Sequence, residues 1–463
     1  MKMMSLEKYK YPHFIGIGGM GMRALAEILL ERGIHVSGSD AKDSEFLDTF
    51  RRRGSDIFIG HKPDNIAHAD CIVVSSAIKE DNPELVEAKK RSIPVFHRSD
   101  VLNAILDSAQ GIAVAGAHGK STTSAMTGKI FLDAMEDPTI VLGAAVSYLN
   151  GNSRQGKGKY VIAEADESDG SFLKFHPYIS VVTNVEDDHL DHYGTVENIR
   201  NAFVQFINQT DPHGASIVCL DSEGIRAIRG RLDGNVITYG FHPDAEYRAK
   251  NKRYEEGLLC FEVYHRETCL GTLKLPIPGN HNVCDALGAA IAGMYCGISF
   301  NRIADSLAEF TGAKRRFQTK FKNDKVWIVD DYAHHPTEIR ATLAAARETL
   351  PKRIICIFQP HRYSRTKLLQ NEFAEAFENA DFLIFTDIYA AGEEKIEGVD
   401  GQLIPHLVQK KYPDKNIWYI SDYERISDKL LPFIQPGDMI ITMGAGTIYQ
   451  TGERLIQLIK ENI

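Results

Sequence analysis

The sequence predicts an α/β protein of three domains, and three observations predict it. Short apolar strands alternate with helix-like segments almost throughout, the pattern of parallel sheets covered by helices. Two of the strand-to-helix junctions are glycine loops, at residues 13–22 and 114–123. The alternation restarts at each loop and again after Lys314-Arg-Arg-Phe317, which places domains at 1–108, 109–314 and 315–463.

In the first domain, strands are expected at 13–17, 33–37, 71–75 and 94–96, with a helix over 23–31. Gly16-x-Gly18-x-x-Gly21 follows the first strand, and Asp40 ends the stretch His35-Val-Ser-Gly-Ser-Asp40. Glycines admit a pyrophosphate close to the backbone, and an acid at the next strand end meets a ribose. Such a loop recognises a diphosphate, so a dinucleotide and a UDP-sugar both satisfy it.

The second domain opens with a strand at 111–115 and the stretch Val114-Ala-Gly-Ala-His-Gly-Lys-Ser-Thr-Thr123, leading into a helix over 123–135. The loop turns several N–H groups and a helix N-terminus onto one spot, which suits a polyphosphate. Lys120 is placed for the terminal phosphates and Ser121 for Mg2+. The usual motif has a glycine where Val114 stands, so the loop is the shorter Gly116-x-x-Gly119-Lys120-Ser121. Further strands are expected at 160–165, 179–184 and 216–220, and an antiparallel section lies between 247 and 275. Glu164, Asp166, Glu167 and Asp169 cluster at one strand end, where hard cations find oxygen ligands. His189 follows three acids at the end of the next strand and is a candidate for a second metal.

Strands of the third domain are expected at 326–330, 353–358, 382–386, 417–420 and 439–443. Val329-Asp-Asp-Tyr-Ala-His-His-Pro336 closes the first, and Phe358-Gln-Pro-His-Arg-Tyr-Ser-Arg-Thr366 the second. Asp, Tyr, His and Arg at neighbouring strand ends form a crevice of the kind that binds ligands, with arginines suited to a carboxylate.

A net charge of −9 in 463 residues argues against a nucleic-acid or anionic-membrane grip. Seven cysteines without a Cys-x-x-Cys pair indicate neither a disulfide framework nor a zinc knuckle. No apolar run reaches a membrane span and no signal peptide is read at the start, so the expected place is the cytoplasm, as monomer or homodimer.

Taken in order, these motifs resemble the Mur ligases, the ATP-dependent amino-acid ligases of peptidoglycan precursor synthesis. Gly16–Met22, Gly116–Thr122, Glu164–Asp169, Thr183-Asn to His192, Pro278-Gly-Asn-His-Asn282, Lys314–Phe317, Asp330–Pro336, Gln359–Arg362 and Tyr389-Ala-Ala-Gly-Glu393 carry the resemblance. It implies Rossmann-like outer domains, a central ATPase-like domain, and ligation of L-alanine to the carboxylate of UDP-N-acetylmuramate with ATP and two Mg2+. It implies that Gly16, Gly18, Gly19, Met20, Gly21, Asp40 and Ser75 hold the UDP-sugar. ATP would be held by Gly116, Ala117, His118, Gly119, Lys120, Ser121, Thr122, Asn282, Arg316 and Asp331. Ser121, Glu164 and His189 would be metal ligands, and Arg316 would reach the transferring phosphate. Tyr332, His361 and Arg365 would surround the alanine, with His334 near the reacting centre. One departure concerns adenine, because Asp285 stands where the family commonly has asparagine. The alternatives are a ligase adding a tripeptide to the same sugar nucleotide, an NAD(P)-dependent oxidoreductase, and a nucleotide-binding scaffold without turnover. The oxidoreductase leaves the Lys120, Glu164 and His189 constellation without a task, and intact metal and phosphate residues argue against the scaffold.

Overall fold

The computed structural model describes residues 8–461, apart from the side chain of Asp191. The chain divides into two compact units. One comprises residues up to Lys252 with Phe261–Lys274 and Cys284–Phe310; the other comprises Arg253–Cys260, Leu275–Val283 and Thr311 onward.

The first unit carries a five-stranded sheet in the order Asp56–Ile59, Ser37–Asp40, Pro12–Ile15, Cys71–Val74, Val95–His97. Every pair is parallel. Pro12–Ile15 stands where the strand order reverses, and its carboxyl end is where such sheets bind ligands. The helix after it, Met20–Glu31, buries Met22, Arg23, Ala24, Leu25, Ala26, Ile28 and Leu29, and covers the helix expected over 23–31. It starts three residues earlier than expected, directly at the glycine loop. The strand expected at 33–37 lies at Ser37–Asp40 because 32–34 terminate the helix. Gly33 adopts φ 81°, and Gly33 and Ile34 donate back to the carbonyls of Leu30 and Leu29 at 3.0 Å.

The larger sheet has a parallel heart in the order Val236–Gly240, Ala215–Cys219, Ile179–Val182, Gln110–Ala115, Tyr160–Glu164, Thr139–Val146. Gly151–Arg154 adds an antiparallel edge. Tyr247–Glu255, Leu258–His265 and Thr268–Leu275 follow as hairpins with two-residue turns. At the first turn Glu256 and Gly257 both have positive φ, 51° and 80°, the twist that suits a two-residue hairpin. The antiparallel section therefore lies where expected.

The helix Lys120–Asp133 is buried on nearly every face yet rich in hydroxyls. Ser124 and Thr127 satisfy theirs on the carbonyls of Lys120 and Thr123, at 2.8 and 2.7 Å, so burial leaves no polar group unpaired there.

In the second unit a six-stranded sheet runs Gln318–Lys322, Val326–Asp331, Asp438–Met443, Arg353–Phe358, Phe382–Phe385, Asn416–Tyr419. Only the first pair is antiparallel. Ile354, Cys356 and Phe358 face one core while Ile355 and Ile357 face the other, which is why the strand reads as a continuous apolar run. A fully buried side chain of this size contributes about 1.5–3 kcal/mol. Strands that the sequence did not announce are short, polar or glycine-bearing: Asp56–Ile59, Thr139–Val146, Gly151–Arg154, Val236–Gly240 and Gln318–Lys322. Among the described residues no helix is long and apolar enough to cross a membrane.

Candidate functional site

The strand Gln110–Ala115 delivers the chain into Gly116 and Gly119, with φ of 135° and 83°. A Cβ at Gly116 would sit 2.1 Å from Thr183 Oγ1, and one at Gly119 would sit 2.5 Å from Asp285 Oδ1. Only glycine permits this path. Neighbouring strand ends then brace the loop from both sides. The Asn184 side chain accepts from His118 N and donates to His118 O, each at 2.9 Å, while Thr183 Oγ1 donates to the same carbonyl at 2.5 Å. On the other side, Ser121 Oγ donates to Glu164 Oε2 at 2.9 Å, and Gly143 N donates to the same oxygen at 3.0 Å.

Lys120 points back across the loop. Its ammonium donates to the carbonyls of Gly116 and Ala117 at 2.5 and 3.2 Å and to Glu167 Oε1 at 2.8 Å. Burial works against its charge, but Glu167 and Glu164 outweigh that, so its pKa is raised and it stays protonated. Glu167 is itself raised, chiefly by burial, and its Oε2 is buried without a partner. His189, at φ 59°, brings Nε2 to 3.7 Å from Glu167 Oε1 and 3.6 Å from Asp188 Oδ2. Ser121, Glu164, Glu167 and His189 thus converge on the loop. A hydroxyl and carboxylates are the donors that a hard divalent ion takes, and the unpartnered Glu167 oxygen leaves one acceptor free. The residues fit Mg2+.

The first glycine loop closes differently. Gly16 and Ile17 donate to Ser39 O at 2.8 and 3.0 Å, and Gly18 N donates to Asp40 Oδ2 at 2.9 Å. Met20 is exposed at the mouth, and Ser75 receives the Ile78 N–H on its carbonyl at 3.1 Å. Nearby, Arg98 donates to Asp166 Oδ2 at 2.5 Å, and Ser76 donates to Asp169 Oδ2 at 2.8 Å. Burial opposes ionisation of Asp166, but Arg98 and Lys120 hold it down at about 2.

In the second unit, Asp331 is fully buried and accepts from Phe317 N and Ala333 N at 2.7 Å each. Burial still pushes it up to about 6. Arg316 lies 5.3 Å from the Tyr332 ring and pairs with Glu338 at 3.6 Å. His334 Nδ1–H donates to Tyr332 O at 3.0 Å, and the ring stacks edge-on to His361, centroids 5.4 Å apart. Arg365 Nη1 lies 3.0 Å from His361 Nδ1, and the Tyr389 ring lies parallel to His361 at 5.8 Å. Burial drives His334 down to about 4 and His361 to about 3, so both imidazoles are neutral near pH 7. Asn282 spends its amide on Pro278 O at 2.6 Å.

Three family models cover most of the chain. Residues 12–110 match the Mur ligase family catalytic domain, 114–293 the Mur ligase middle domain, and 315–446 the Mur ligase glutamate ligase domain. The chain belongs to the Mur ligase family. It is 44% identical to the UDP-N-acetylmuramate–L-alanine ligase of Pelotomaculum thermopropionicum, over 99% of both chains. It is 45% identical to the enzyme of the same name from Geotalea uraniireducens, over 97% of this chain and 98% of that one. The crystal structure of the UDP-N-acetylmuramate-alanine ligase of Thermotoga maritima superposes with a TM-score of 0.83 at 28% identity, covering 98% of this chain and 100% of that one. A murein peptide ligase from Psychrobacter arcticus shares the fold at TM-score 0.69 and 22% identity, covering 96% of this chain and 98% of that one.

Several residues that shape this Mur ligase's loops escaped the sequence reading. Glu167 was one of four candidate carboxylates, and only the fold shows it to be the partner of Lys120. Asp285, seen from sequence as a departure at an adenine position, instead accepts from Thr123 Oγ1 at 3.0 Å and walls Gly119. Glu338 and Tyr389 carried no separable signal, although Tyr389 lay inside a quoted motif.

Proposed function

We propose that this Mur ligase joins L-alanine to the carboxylate of UDP-N-acetylmuramate at the expense of ATP, a step of peptidoglycan precursor synthesis. The observation that carries it is end-to-end identity of 44–45% to two alanine ligases, together with the Lys120–Ser121 loop. The reading of three domains at 1–108, 109–314 and 315–463 is supported by three sheets and three family matches.

The chemistry follows from what a carboxylate lacks. Its oxygen attacks the γ-phosphorus of ATP, ADP leaves, and an acyl phosphate forms. The alanine amine then attacks the acyl carbon, the tetrahedral adduct expels inorganic phosphate, and the amine loses a proton. Lys120, held cationic, neutralises the β- and γ-phosphates. Ser121, Glu164 and His189 are the proposed ligands of two Mg2+, which supply further charge neutralisation when bound. The Gly16–Gly21 loop, with Met20, Asp40 and Ser75, is assigned to the UDP-sugar. Tyr332, His361 and Arg365 are assigned to alanine, with Arg365 and the Nε2–H of neutral His361 suited to its carboxylate and neutral His334 able to accept from its ammonium. Asn282, Arg316 and Asp331 are given to ATP on the family resemblance. The cytoplasm, where these substrates are made, is the proposed place of action.

The test is phosphate release from MgATP and UDP-N-acetylmuramate with L-alanine, with the tripeptide, or with no amine. Release with L-alanine, and a product heavier by one alanyl residue, is expected. Release with the tripeptide alone overturns the alanine assignment.

A further inference from the structure

At the helix that also carries Asn282 and Asp285, the first unit brings two thiols and a carboxylate to one point. Cys219 ends the strand Ala215–Cys219, Asp221 follows it by two residues, and Cys284 lies in the helix Asn280–Tyr295. One ligand atom from each lies within 4.8 Å of the other two. We propose that Cys219, Asp221 and Cys284 form a binding site for a borderline-soft divalent ion of the zinc type.

The carboxylate is positioned before any ion arrives. Phe241 N donates to Asp221 at 2.9–3.0 Å and His242 N donates to Asp221 Oδ1 at 2.8 Å. Cys284 Sγ donates to Oδ2 at 3.2 Å, the oxygen that Phe241 N also reaches. A Cβ at Gly240 would come within 2.7 Å of Asp221 Oδ1, so this cradle depends on a glycine at φ 139°. Cys219 is buried from the other side, and its partner in the sheet register is Tyr239. The Tyr239 hydroxyl is wholly buried and has no hydrogen-bond partner. Its raised pKa comes first from burial and then from Cys219 and Cys284, which places that unspent hydroxyl beside the thiols.

Donor chemistry selects the ion. Two thiolates and one carboxylate carry three negative charges and suit Zn2+ or Cd2+ better than Mg2+, which takes oxygen. Around a tetrahedral ion with bonds of about 2.3 Å the sulfurs stand about 3.8 Å apart, a small contraction from the present cluster. Asp221 is exposed, so a water completes the fourth position. Binding displaces the Cys284 Sγ–H from its contact with Asp221 Oδ2 and releases that proton. The ion ties a strand end, the loop after Val236–Gly240 and a helix that sequence separates by 65 positions, so it raises the melting temperature.

The full chain, stripped with a chelator and kept under a non-thiol reductant, is titrated with Cd2+ and followed by its ultraviolet thiolate-to-metal absorption. Saturation at one Cd2+ per chain, displaced by Zn2+, is expected, with a Zn2+-dependent rise in melting temperature. Cys284→Ser abolishes the absorption, and Asp221→Asn weakens Zn2+ by about tenfold while keeping both thiols. An unchanged titration in Cys284→Ser, as binding at the exposed Cys269 would give, overturns the proposal. So does a wild-type chain without absorption at one equivalent. Should Cys284→Ser not fold, an Asp221→Asn chain with wild-type Zn2+ affinity overturns it equally.

Discussion

Two glycine loops in the first unit share a plan, a buried strand running through glycines into a helix, and differ in what fills them. At Gly16–Gly21 the filling is a carboxylate: Asp40 accepts the Gly18 N–H, and the first turn of the helix holds no acidic residue. At Gly116–Ser121 it is an ammonium, gripped by two loop carbonyls and by Glu167. The backbone alone suits a diphosphate. The added cation and the oxygen ligands around it suit a triphosphate with its metal, so under the proposed assignment side chains divide two nucleotide tasks between loops of one shape.

The sharpest way to break that division is Lys120→Ala. Ligation should fall by about 10^2–10^3 or more, while UDP-N-acetylmuramate affinity by calorimetry stays within a factor of about two. Equal loss of both means the loops are not separate. His361→Ala extends the contrast to the second unit. Its KM for L-alanine should rise by about 10–150-fold, the worth of one hydrogen bond to a charged group, with the KM for ATP little changed. Gly18→Ala is the mirror of the first test, since its Cβ would stand 2.8 Å from Asp40 Oδ2. A roughly tenfold rise in KM for the UDP-sugar is expected, and a rise for ATP instead contradicts the assignment. Smaller still is Glu167→Gln, which frees Lys120 from a charged partner and should lower the KM for ATP by roughly threefold; a rise makes Glu167 a ligand the reaction needs.

A different effect is read in pH. Burial lowers His281 and His334 to about 4 and His361 to about 3, so the unfolded chain takes up protons below about 6.5 that the fold refuses. Stability is therefore lost as pH falls through that window. Asp331, raised to about 6, acts oppositely between about pH 4 and 6, where the fold keeps its proton longer. Three against one leaves a net loss on acidification, each group worth about 1.4 kcal/mol per pH unit. Melting temperatures at pH 7, 6 and 5 should fall in step, and His281→Gln should remove between about a third and a half of the net acid loss. An unchanged slope rules His281 out as a contributor.

The fold was largely legible because fully buried parallel strands write themselves as apolar runs, as Ile354–Phe358 does. Edge strands such as Gln318–Lys322 were not, since one solvated side lets polar residues in. The loops were legible because glycines recur where the backbone turns left-handed, as at Gly16, Gly116 and Gly119, or where a Cβ would collide, as at Gly18. Their occupants were less so. The choice of Glu167 over its acidic neighbours, or the meeting of Asp285 with Gly119, depends on which strands and helices become neighbours, and local sequence carries no mark of that.

The grip of Glu167 on Lys120 has a consequence for selectivity. A bare cation at the mouth of a nest of amides would attract any small anion of the cell. Here an internal anion already occupies that cation, and a visitor must outcompete it. Inorganic phosphate, with few contacts of its own, is poorly equipped to do so. A nucleotide brings a chain of phosphates and its own metal to rearrange the carboxylates. The loop is in effect insured against the commonest wrong ligand by a counter-ion supplied from its own chain.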